Sequence, residues 1–540
     1  MSKLSEYLGQ HLSGEVSSNS AVCDYFSSDG SALKYKPKLV IYPRTIDDVR
    51  KLARFSWRLA EKGLKLPITA RGYGADNTSS ATGTGATIVF PAHLQKVLEL
   101  DTKLKKIRVQ PGLNVRTLQE IVATHGLYLP IYPTNLKYAT VGGSIANNVT
   151  GPKGLCYGSM RNFVDRVEVV LSNGEVIQTG RISKREVNTK KGLQTLEGEI
   201  YREIDALIEA NEGVIAEYAS SNLPDNMGYH LSSIKNKDGS IDLTPLFVGS
   251  QGTLGIIVQA IINLIPRQNM KSLLVSALPN LDNFADLVEA IGALRPTEFE
   301  FIDGSTLKYI EKQNGVMPLN TLIDTEPEGV FVIEFGDGEG QKSKSAKQAL
   351  KILGEFGAVS EIAESQSDQE DVWGVRFASG ALVNDFTDGR QPIQFADAVV
   401  PINKIGIFRD RLESLIESRK IDGYITGRVG TGNLSVTALL DLGRLNGRQA
   451  VFAFGRDYYK LVASLGGSIA GDSGDGRLRI EASQEFYGER MAELFAKIKD
   501  VFDPKGIFNP GVIVPDEKPD LVTHLNGDRE IRFADYRPRV

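Results

Sequence analysis

The alternation of apolar and polar positions divides the chain into short strands and amphipathic helices. Lys38–Tyr42 is an apolar run ending at Pro43, and Thr45-Ile-Asp-Asp48 has the form of a capping box, so a strand is followed by a helix. In that helix Val49, Leu52, Ala53, Ser56, Leu59 and Ala60 return at three- and four-residue spacing, which predicts one buried face until Gly63 stops it. Leu66–Thr69 and Ala86–Phe90 read as strands around a glycine-rich loop, Leu98–Leu100 and Ile107–Gln110 as a hairpin, and Asn114 as the cap of a second helix ending near Gly126. Leu196–Tyr218 has helical spacing, with Ile200, Ile204, Leu207 and Ile208 on one side, and predicts a lid or surface helix pair within a long connection, 182–246.

From Met270 the texture changes. Ser272–Leu278, Thr297–Asp303 and Gly329–Phe335 read as strands, and Asn280–Leu294, Ser343–Phe356 and Lys404–Ser418 as helices. Ile393–Val400 and most of Gly423–Leu440 read as extended. This pattern suits an antiparallel sheet covered by helices on one face. A glycine-rich segment after Gly466 leads to a helix over Ser483–Val501, and the polar stretch from Asp516 reads as a tail. The fold class is α+β, with boundaries expected near residues 35, 267, 465 and 515.

Composition narrows the picture. A chain of 540 residues exceeds one hydrophobic core. A net charge of -5 gives no electrostatic reason to expect nucleic acid. Met1–Ser20 lacks the pattern of a signal peptide, and no apolar run approaches a membrane span. The two cysteines, Cys23 and Cys156, are too few for a disulfide framework, a zinc ribbon or an iron–sulfur cluster. A cytoplasmic protein, at most peripheral to a membrane, is expected.

Candidate chemistry lies in four loops of small residues: Arg71-Gly-Tyr-Gly-Ala-Asp76, Thr140-Val-Gly-Gly-Ser-Ile-Ala-Asn-Asn148, Gly151-Pro-Lys-Gly154 and Gly249-Ser-Gln-Gly-Thr-Leu-Gly255. Consecutive amides in such turns form concave anion sites suited to a pyrophosphate. A GxGxxG fingerprint and a Walker lysine are both missing from the places where a nucleotide fold would need them.

The order and wording of these loops resemble the FAD-binding, PCMH-type domain of the vanillyl-alcohol-oxidase-like flavoproteins. Within that superfamily the chain is most similar to the D-lactate, glycolate and D-2-hydroxyglutarate dehydrogenase branch. The landmarks are Pro43–Val49, Arg71–Gly74, Val109-Gln-Pro-Gly112, His125–Pro130, Ala139–Gly143, Tyr157-Gly158, Gly249–Ile256 and Asp503-Pro-Lys-Gly-Ile-Phe-Asn-Pro-Gly511, spread from about residue 20 to 515. The resemblance implies an FAD-binding domain of two α/β subdomains over 36–267, a substrate domain over 268–465, and a segment 466–515 returning to the flavin. It places FAD on Arg71, Gly72, Tyr73, Gly74, Ala75 and Asp76, on Pro133, and on Thr140, Val141, Gly142, Gly143, Ser144, Ala146 and Asn147. Gly151, Tyr157, Gly252, Gly255, Ile256 and Asn509 complete the implied set. Ala75-Asp76 stands where tethering relatives often carry a histidine, so a non-covalent flavin is expected.

On the substrate side the sequence departs from the branch. Relatives carry His-x-Gly-Asp-Gly-Asn-x-His and Gly-Glu-His-Gly, which supply metal ligands and a base that lower the cost of forming an alkoxide. Here the segments read Arg428-Val-Gly-Thr-Gly-Asn-Leu-Ser435 and Gly471-Asp-Ser-Gly474, and the five histidines, at 11, 93, 125, 230 and 524, lie elsewhere. No metal is expected. Arg376, Arg428, Asn433, Asp472 and Arg477 are the candidate catalytic residues. Either the arginines bind an anionic substrate, or Arg428 forms a structural bridge with Asp397 or Asp472. Tyr132, Tyr229, His230, Asp472 and Asp475 are open candidates for the proton acceptor.

The expected function is an FAD-dependent dehydrogenase or oxidase that takes a hydride from a small alcohol-type substrate, a 2-hydroxy acid or sugar derivative. A quinone, a carrier protein or oxygen would accept the electrons. The alternatives are a flavin-binding partner subunit without turnover and an NAD(P)H-dependent flavin reductase.

Overall fold

A computed structural model describes residues 3–219, 223, 226–267, 272–314, 326–336, 341–363, 365, 368–369, 372–373, 390–516 and 521–527. Arg376 lies outside the described residues.

Three sheets organise the chain. The first runs β1 (Glu15–Ser17), β2 (Leu39–Tyr42), β4 (Ala86–Val89), β3 (Ile68–Arg71). Its last three strands are parallel, with helix Ile46–Glu61 crossing between β2 and β3. The Thr45–Asp48 capping box forms as the sequence predicts, and Val49, Leu52, Ala53 and Ser56 face inward. The second sheet contains β5 (Val97–Asp101), β6 (Lys106–Val109), β10 (Ile256–Asn263), β8 (Val164–Val170) and β9 (Val176–Gln178) in that order, all antiparallel. A short β7 (Leu127–Tyr128) pairs with β11 (Ile265–Pro266) beside it.

The third sheet has seven antiparallel strands in the order β15 (Val359–Ala363), β12 (Ser272–Leu278), β14 (Gly329–Phe335), β13 (Glu298–Asp303), β17 (Asp422–Gly427), β18 (Ser435–Leu440), β16 (Gln391–Phe395). Phe284 of helix Phe284–Gly292 packs its ring edgewise on Phe301 at 4.9 Å. Helices are not confined to one face, as the periodicity suggested: Leu307 and Ile310 of helix Gly304–Asn314 join Ile302, Val330 and Val332 in a separate cluster. Helix Leu445–Ser464, which the sequence reading left out, buries Val451, Phe454, Tyr458 and Val462. The single helix expected at Ser483–Val501 is two, Ile480–Tyr487 and Glu489–Phe502, because Gly488 takes φ +70° between them.

Of the two readings for 196–218, the surface pair holds, and the expected tail changes. Helices Leu196–Ala210 and Glu212–Tyr218 are a surface pair, with Tyr218 edge-on to Phe495 at 6.0 Å, and no described residue of 182–246 lines the main cleft. Residues 521–527 of the expected tail fold back: Asn526 N–H donates to Ala32 O at 2.9 Å, Lys34 N–H to His524 O at 2.7 Å, and Leu521 and Leu525 are buried.

The third sheet is pinned to the Gly151–Gly154 turn by a buried ion pair. Lys153 Nζ lies 2.9 Å from Glu334 Oε1 on β14, and the side chains are 4% and 3% exposed. Burial works against the ammonium, yet Glu334, Tyr132 and Glu298 outweigh it and hold its pKa above the ordinary value. Removing one partner strands the other charge, whereas replacing both with apolar residues does not. Lys153→Met is therefore expected to lower unfolding free energy by about 3–5 kcal/mol in urea denaturation, and Lys153→Met/Glu334→Leu to recover most of that loss.

Candidate active site

A cleft of about 770 Å³ opens between the two smaller sheets and the edge of the third, a volume typical of ligand sites. One wall is the loop leaving the carboxyl end of β3, which contributes Arg71 to Asn77. Next to it lie residues 133–140, the short helix Val141–Ala146, and Gln251-Gly252. The opposite wall comes from the third sheet and the 471–474 turn: Gln394, Asp397, Thr426 to Arg428, Asn433, Ser435, Thr437, Asp472 and Ser473.

Small residues are required by close approach. A Cβ on Gly72 would lie 2.3 Å from Thr140 Oγ1, and one on Gly142 would lie 2.6 Å from Pro111 Cβ. The two loops use their amides differently. Val141 N–H donates to Leu113 O at 2.9 Å, Gly142 N–H to Pro111 O at 2.8 Å, and Gly143 N–H to Thr140 Oγ1 at 3.1 Å, so the second loop spends its amides within the protein. In the first loop the N–H groups of Gly72, Gly74, Ala75, Asp76 and Asn77 find no acceptor among the described residues. The first loop thus leaves amides without an acceptor, and the second packs closely against its neighbours.

A chain of buried amides holds these loops together. Asn509 Nδ2 donates to Ser80 O and to Gln251 O, each at 2.8 Å. Gln251 Nε2 donates to Asn147 Oδ1 at 2.7 Å, and Asn147 Nδ2 reaches Asp76 Oδ1 at 3.4 Å. Asp76 closes its own loop by accepting from Thr78 N–H at 3.1 Å and Ser80 N–H at 2.8 Å. Asn509 and Gln251 both sit in the left-handed region, at φ +40° and +51°, a strain that persists only where surroundings over-determine it.

The candidate residues separate on this geometry. Arg71, Gly72, Tyr73, Gly74, Ala75, Asp76, Pro133, Thr140, Gly142, Gly143, Ser144, Ala146, Asn147, Gly252 and Gly255 line the cleft, as do Arg428, Asn433 and Asp472. Val141 and Ile256 are core residues, 0% and 1% exposed, and Ile257 rather than Ile256 reaches the cleft. Gly151 and Tyr157 do not line it. Gly151 lies over Tyr132, whose carbonyl O is 1.9 Å from where a Cβ would be, and its N–H donates to Asp472 Oδ1 at 2.8 Å.

Arg477 is corrected from a catalytic to a positioning residue, and Asn509 from a direct cofactor contact to a loop anchor. The Arg477 guanidinium donates to Ser79 O at 2.6 Å, Thr82 O at 2.7 Å, Asn509 Oδ1 at 2.8 Å and Pro510 O at 2.8 Å, all away from the cleft. Gln251, Gln394, Asn77, Asp397 and Ser473 line the cleft but were not among the expected site residues. Gln251 and Asn77 lie in or beside glycine loops, Ser473 lies in the Gly471–Gly474 segment and Asp397 was a possible partner of Arg428, whereas Gln394 carried no sequence signal.

On the substrate wall the structural bridge forms. Arg428 Nη2 lies 3.0 Å from Asp472 Oδ2, and Asp472 Oδ1 also accepts from Thr150 N–H at 3.2 Å. Burial opposes both charges, but each partner outweighs it: Arg428 is held above and Asp472 below its ordinary pKa. Asp397 pairs instead with Arg479. Among the described residues no group of three or more His, Cys, Asp or Glu side chains could hold a metal.

The cleft fits FAD. The first loop presents amides without an acceptor, and the buried Ser144 Oγ and Arg71 Nε have no partner among the described residues. Fold and site together define a PCMH-type flavoprotein. A model of an FAD binding domain matches residues 37–180, and one of the C-terminal domain of FAD linked oxidases matches 267–513. The chain belongs to the FAD-linked oxidase family and is an FAD-dependent oxidoreductase.

It is 26% identical to glycolate oxidase subunit GlcD of Bacillus subtilis over 478 residues, 88% of each chain. It is 27% identical to D-lactate dehydrogenase of Archaeoglobus fulgidus over 88% of this chain and 91% of that protein. D-2-hydroxyglutarate dehydrogenase of Escherichia coli is 24% identical over 98% of this chain but only 54% of its own length. Among solved structures, 4-ethylphenol oxidase from Gulosibacter chungangensis superposes with a TM-score of 0.69 at 19% identity, covering 95% of this chain and 97% of that one. p-Cresol methylhydroxylase gives 0.69 at 14% identity, covering 96% and 97%. At these identities the two structures establish the fold.

Beneath the first loop, Asp29 is buried with Oδ2 unpartnered, while Gly30 N–H donates to Gly74 O at 2.9 Å. Burial, reinforced by Asp76, pushes the Asp29 carboxyl up to about 7. A raised acid contributes stability below its unfolded pKa and loses it as pH rises through the folded value. Asp29→Asn should therefore raise the Tm of the holoprotein at pH 8 and leave it nearly unchanged at pH 4, a contrast that thermal melts would show. No histidine or cysteine lines the cleft among the described residues. Acid precipitation should accordingly release all the flavin into the supernatant, with no absorbance left on the pellet.

Proposed function

We propose that the protein oxidises a small hydroxylated substrate of the 2-hydroxy acid or sugar-derivative class, with FAD bound non-covalently along the glycine loops. The observation that carries this reading is the polar wall facing those loops: Gln394, Asp397, Arg428, Asn433, Ser435 and Thr437 from the third sheet and its turns converge with Ser473 of the 471–474 turn. Wall and cradle bound one continuous cleft, so a substrate held by the wall lies against the flavin. Rigid elements position such a constellation better than free loops do.

When bound, FAD supplies the acceptor for a hydride from the substrate carbon. The chain's own residues do the rest. The first-loop amides and Ser144 would hold the cofactor's phosphates, and Gly142 and Gly143 would keep side chains from crowding it. Arg428 and Asn433 orient the substrate. Asn433 is fixed for this, its Nδ2 donating to Ala398 O at 2.8 Å and its Oδ1 accepting from Arg428 N–H at 3.2 Å. Because Asp472 already shares the Arg428 guanidinium, an anionic substrate would take only its remaining N–H groups. The pair would thereby give orientation without a large excess charge. The named activities of the relatives, on glycolate, D-lactate and D-2-hydroxyglutarate, support a hydroxy acid among the substrates. The Arg428–Asp472 pair, standing where the branch has metal ligands, supports catalysis without a metal.

Anaerobic mixing with D-lactate, glycolate or D-2-hydroxyglutarate is expected to bleach the flavin absorbance with at least one of them, at a rate unchanged by EDTA. Bleaching by NADPH and by none of the acids would favour a reductase instead.

A further inference from the structure

We infer that Asp397, reached through the hydroxyl of Ser473, accepts the proton that leaves the substrate hydroxyl; this rests on the function proposed above. Both residues line the cleft on its substrate wall. Ser473 Oγ donates to Asp397 Oδ2 at 2.5 Å, and the same carboxylate is ion-paired with buried Arg479. Arg479 is itself fixed, donating to Ile469 O at 3.0 Å. A serine hydroxyl held by a carboxylate can accept one proton as it gives up another. It therefore connects a ligand in the cleft to an acid group 5% exposed behind it.

Asp397 is also held in an uncommon backbone state. Its φ is +70°, in the left-handed region that non-glycine residues seldom occupy. The surroundings impose it. Gly471 N–H donates to Asp397 O at 2.6 Å, Val399 and Ser468 exchange hydrogen bonds two residues on, and Asn433 holds Ala398 O. Strain of this kind, at a residue facing a cofactor cleft, is what keeping one carboxylate aimed at one place requires.

The other acid–base candidates are engaged or misplaced. Asp472 is, like Asp397, paired with an arginine, but its other donors are two main-chain N–H groups and not a hydroxyl that could relay a proton. Asp475 is buried under Ser483 Oγ at 2.6 Å, Tyr487 OH at 2.6 Å and Gly228 N–H at 2.8 Å. Tyr132, Tyr229 and His230 do not line the cleft. Burial raises both tyrosines, and burial aided by Arg161 lowers His230 to about 3.

The step balances. The substrate C–H bond breaks with its electron pair, which leaves as hydride to the FAD, and the carbon is oxidised to a carbonyl. The substrate O–H proton passes to Ser473 Oγ, whose own proton moves to Asp397. A carboxylate is a sufficient base because a protonated carbonyl, which would otherwise form, is a far stronger acid than a carboxylic acid.

The test measures anaerobic flavin reduction in wild-type holoprotein, Asp397→Asn and Ser473→Ala, using whichever of D-lactate, glycolate or D-2-hydroxyglutarate reduces wild type fastest. A general base contributes about 10²–10⁴-fold, so Asp397→Asn should slow reduction by that factor and Ser473→Ala by more than about tenfold. The infrared difference spectrum of substrate reduction should show a protonated carboxyl C=O band, shifted in D₂O and missing in Asp397→Asn. A merely structural role would not produce that band. Should Asp397→Asn fail to retain FAD because Arg479 is stranded, Ser473→Ala and the wild-type band decide. Wild-type reduction with Ser473→Ala within tenfold of it, or no protonated carboxyl band in the wild type, overturns the inference and leaves the proposed function standing. A holoprotein that none of the three acids reduces overturns both.

Discussion

Three loops far apart in sequence must stay within hydrogen-bonding reach of one another, and a single buried asparagine provides most of that constraint. Asn509 donates to carbonyls after β3 and before β10, and accepts from Arg477 and from Thr69 Oγ1 at 3.1 Å. In a low-dielectric interior such bonds are strong, and an unpaired member is costly, so the network is satisfied as a unit or not at all. The shape of the cleft therefore depends on residues as far apart in sequence as Gly30 and Asn509.

This changes what glycine does in the site. In the first loop the absent side chains leave amides open for an anion, whereas in the second the amides are consumed and the missing Cβ lets one backbone pass close to another. Residue type was the same in both places, but the hydrogen-bond accounting was not. The Gly151-Pro-Lys-Gly154 turn serves a third purpose. It holds Asp472 through an amide and presents Lys153 to the third sheet.

On the opposite wall, charged side chains are held in ion pairs. Arg428–Asp472 and Arg479–Asp397 each bring a cation and an anion out of water together, which keeps the local charge near balance. Each carboxylate also accepts from a neutral donor, main-chain amides for Asp472 and a serine for Asp397. The wall is thereby rigid and polar without being strongly charged. Such a wall is suited to orienting hydroxyl groups.

Wherever a local rule was enough, the sequence by itself determined the outcome. The Thr45 capping box, the Asn114 cap, the 97–109 hairpin and the glycine loops depend on residues a few positions apart, and the PCMH-type flavin fold was legible from the order of those loops. Helix Leu445–Ser464 was not, because Gly447 and Gly455 interrupt its pattern and its Arg444 cap makes no side-chain bond. Only the tertiary structure decided that Arg477 holds loops instead of substrate, that Leu521 and Leu525 dock on the core, and that Asp397 meets Ser473 across 76 positions. An arginine or aspartate has the same identity in a cleft as in a wall. Which it joins depends on partners that long-range packing alone brings within reach.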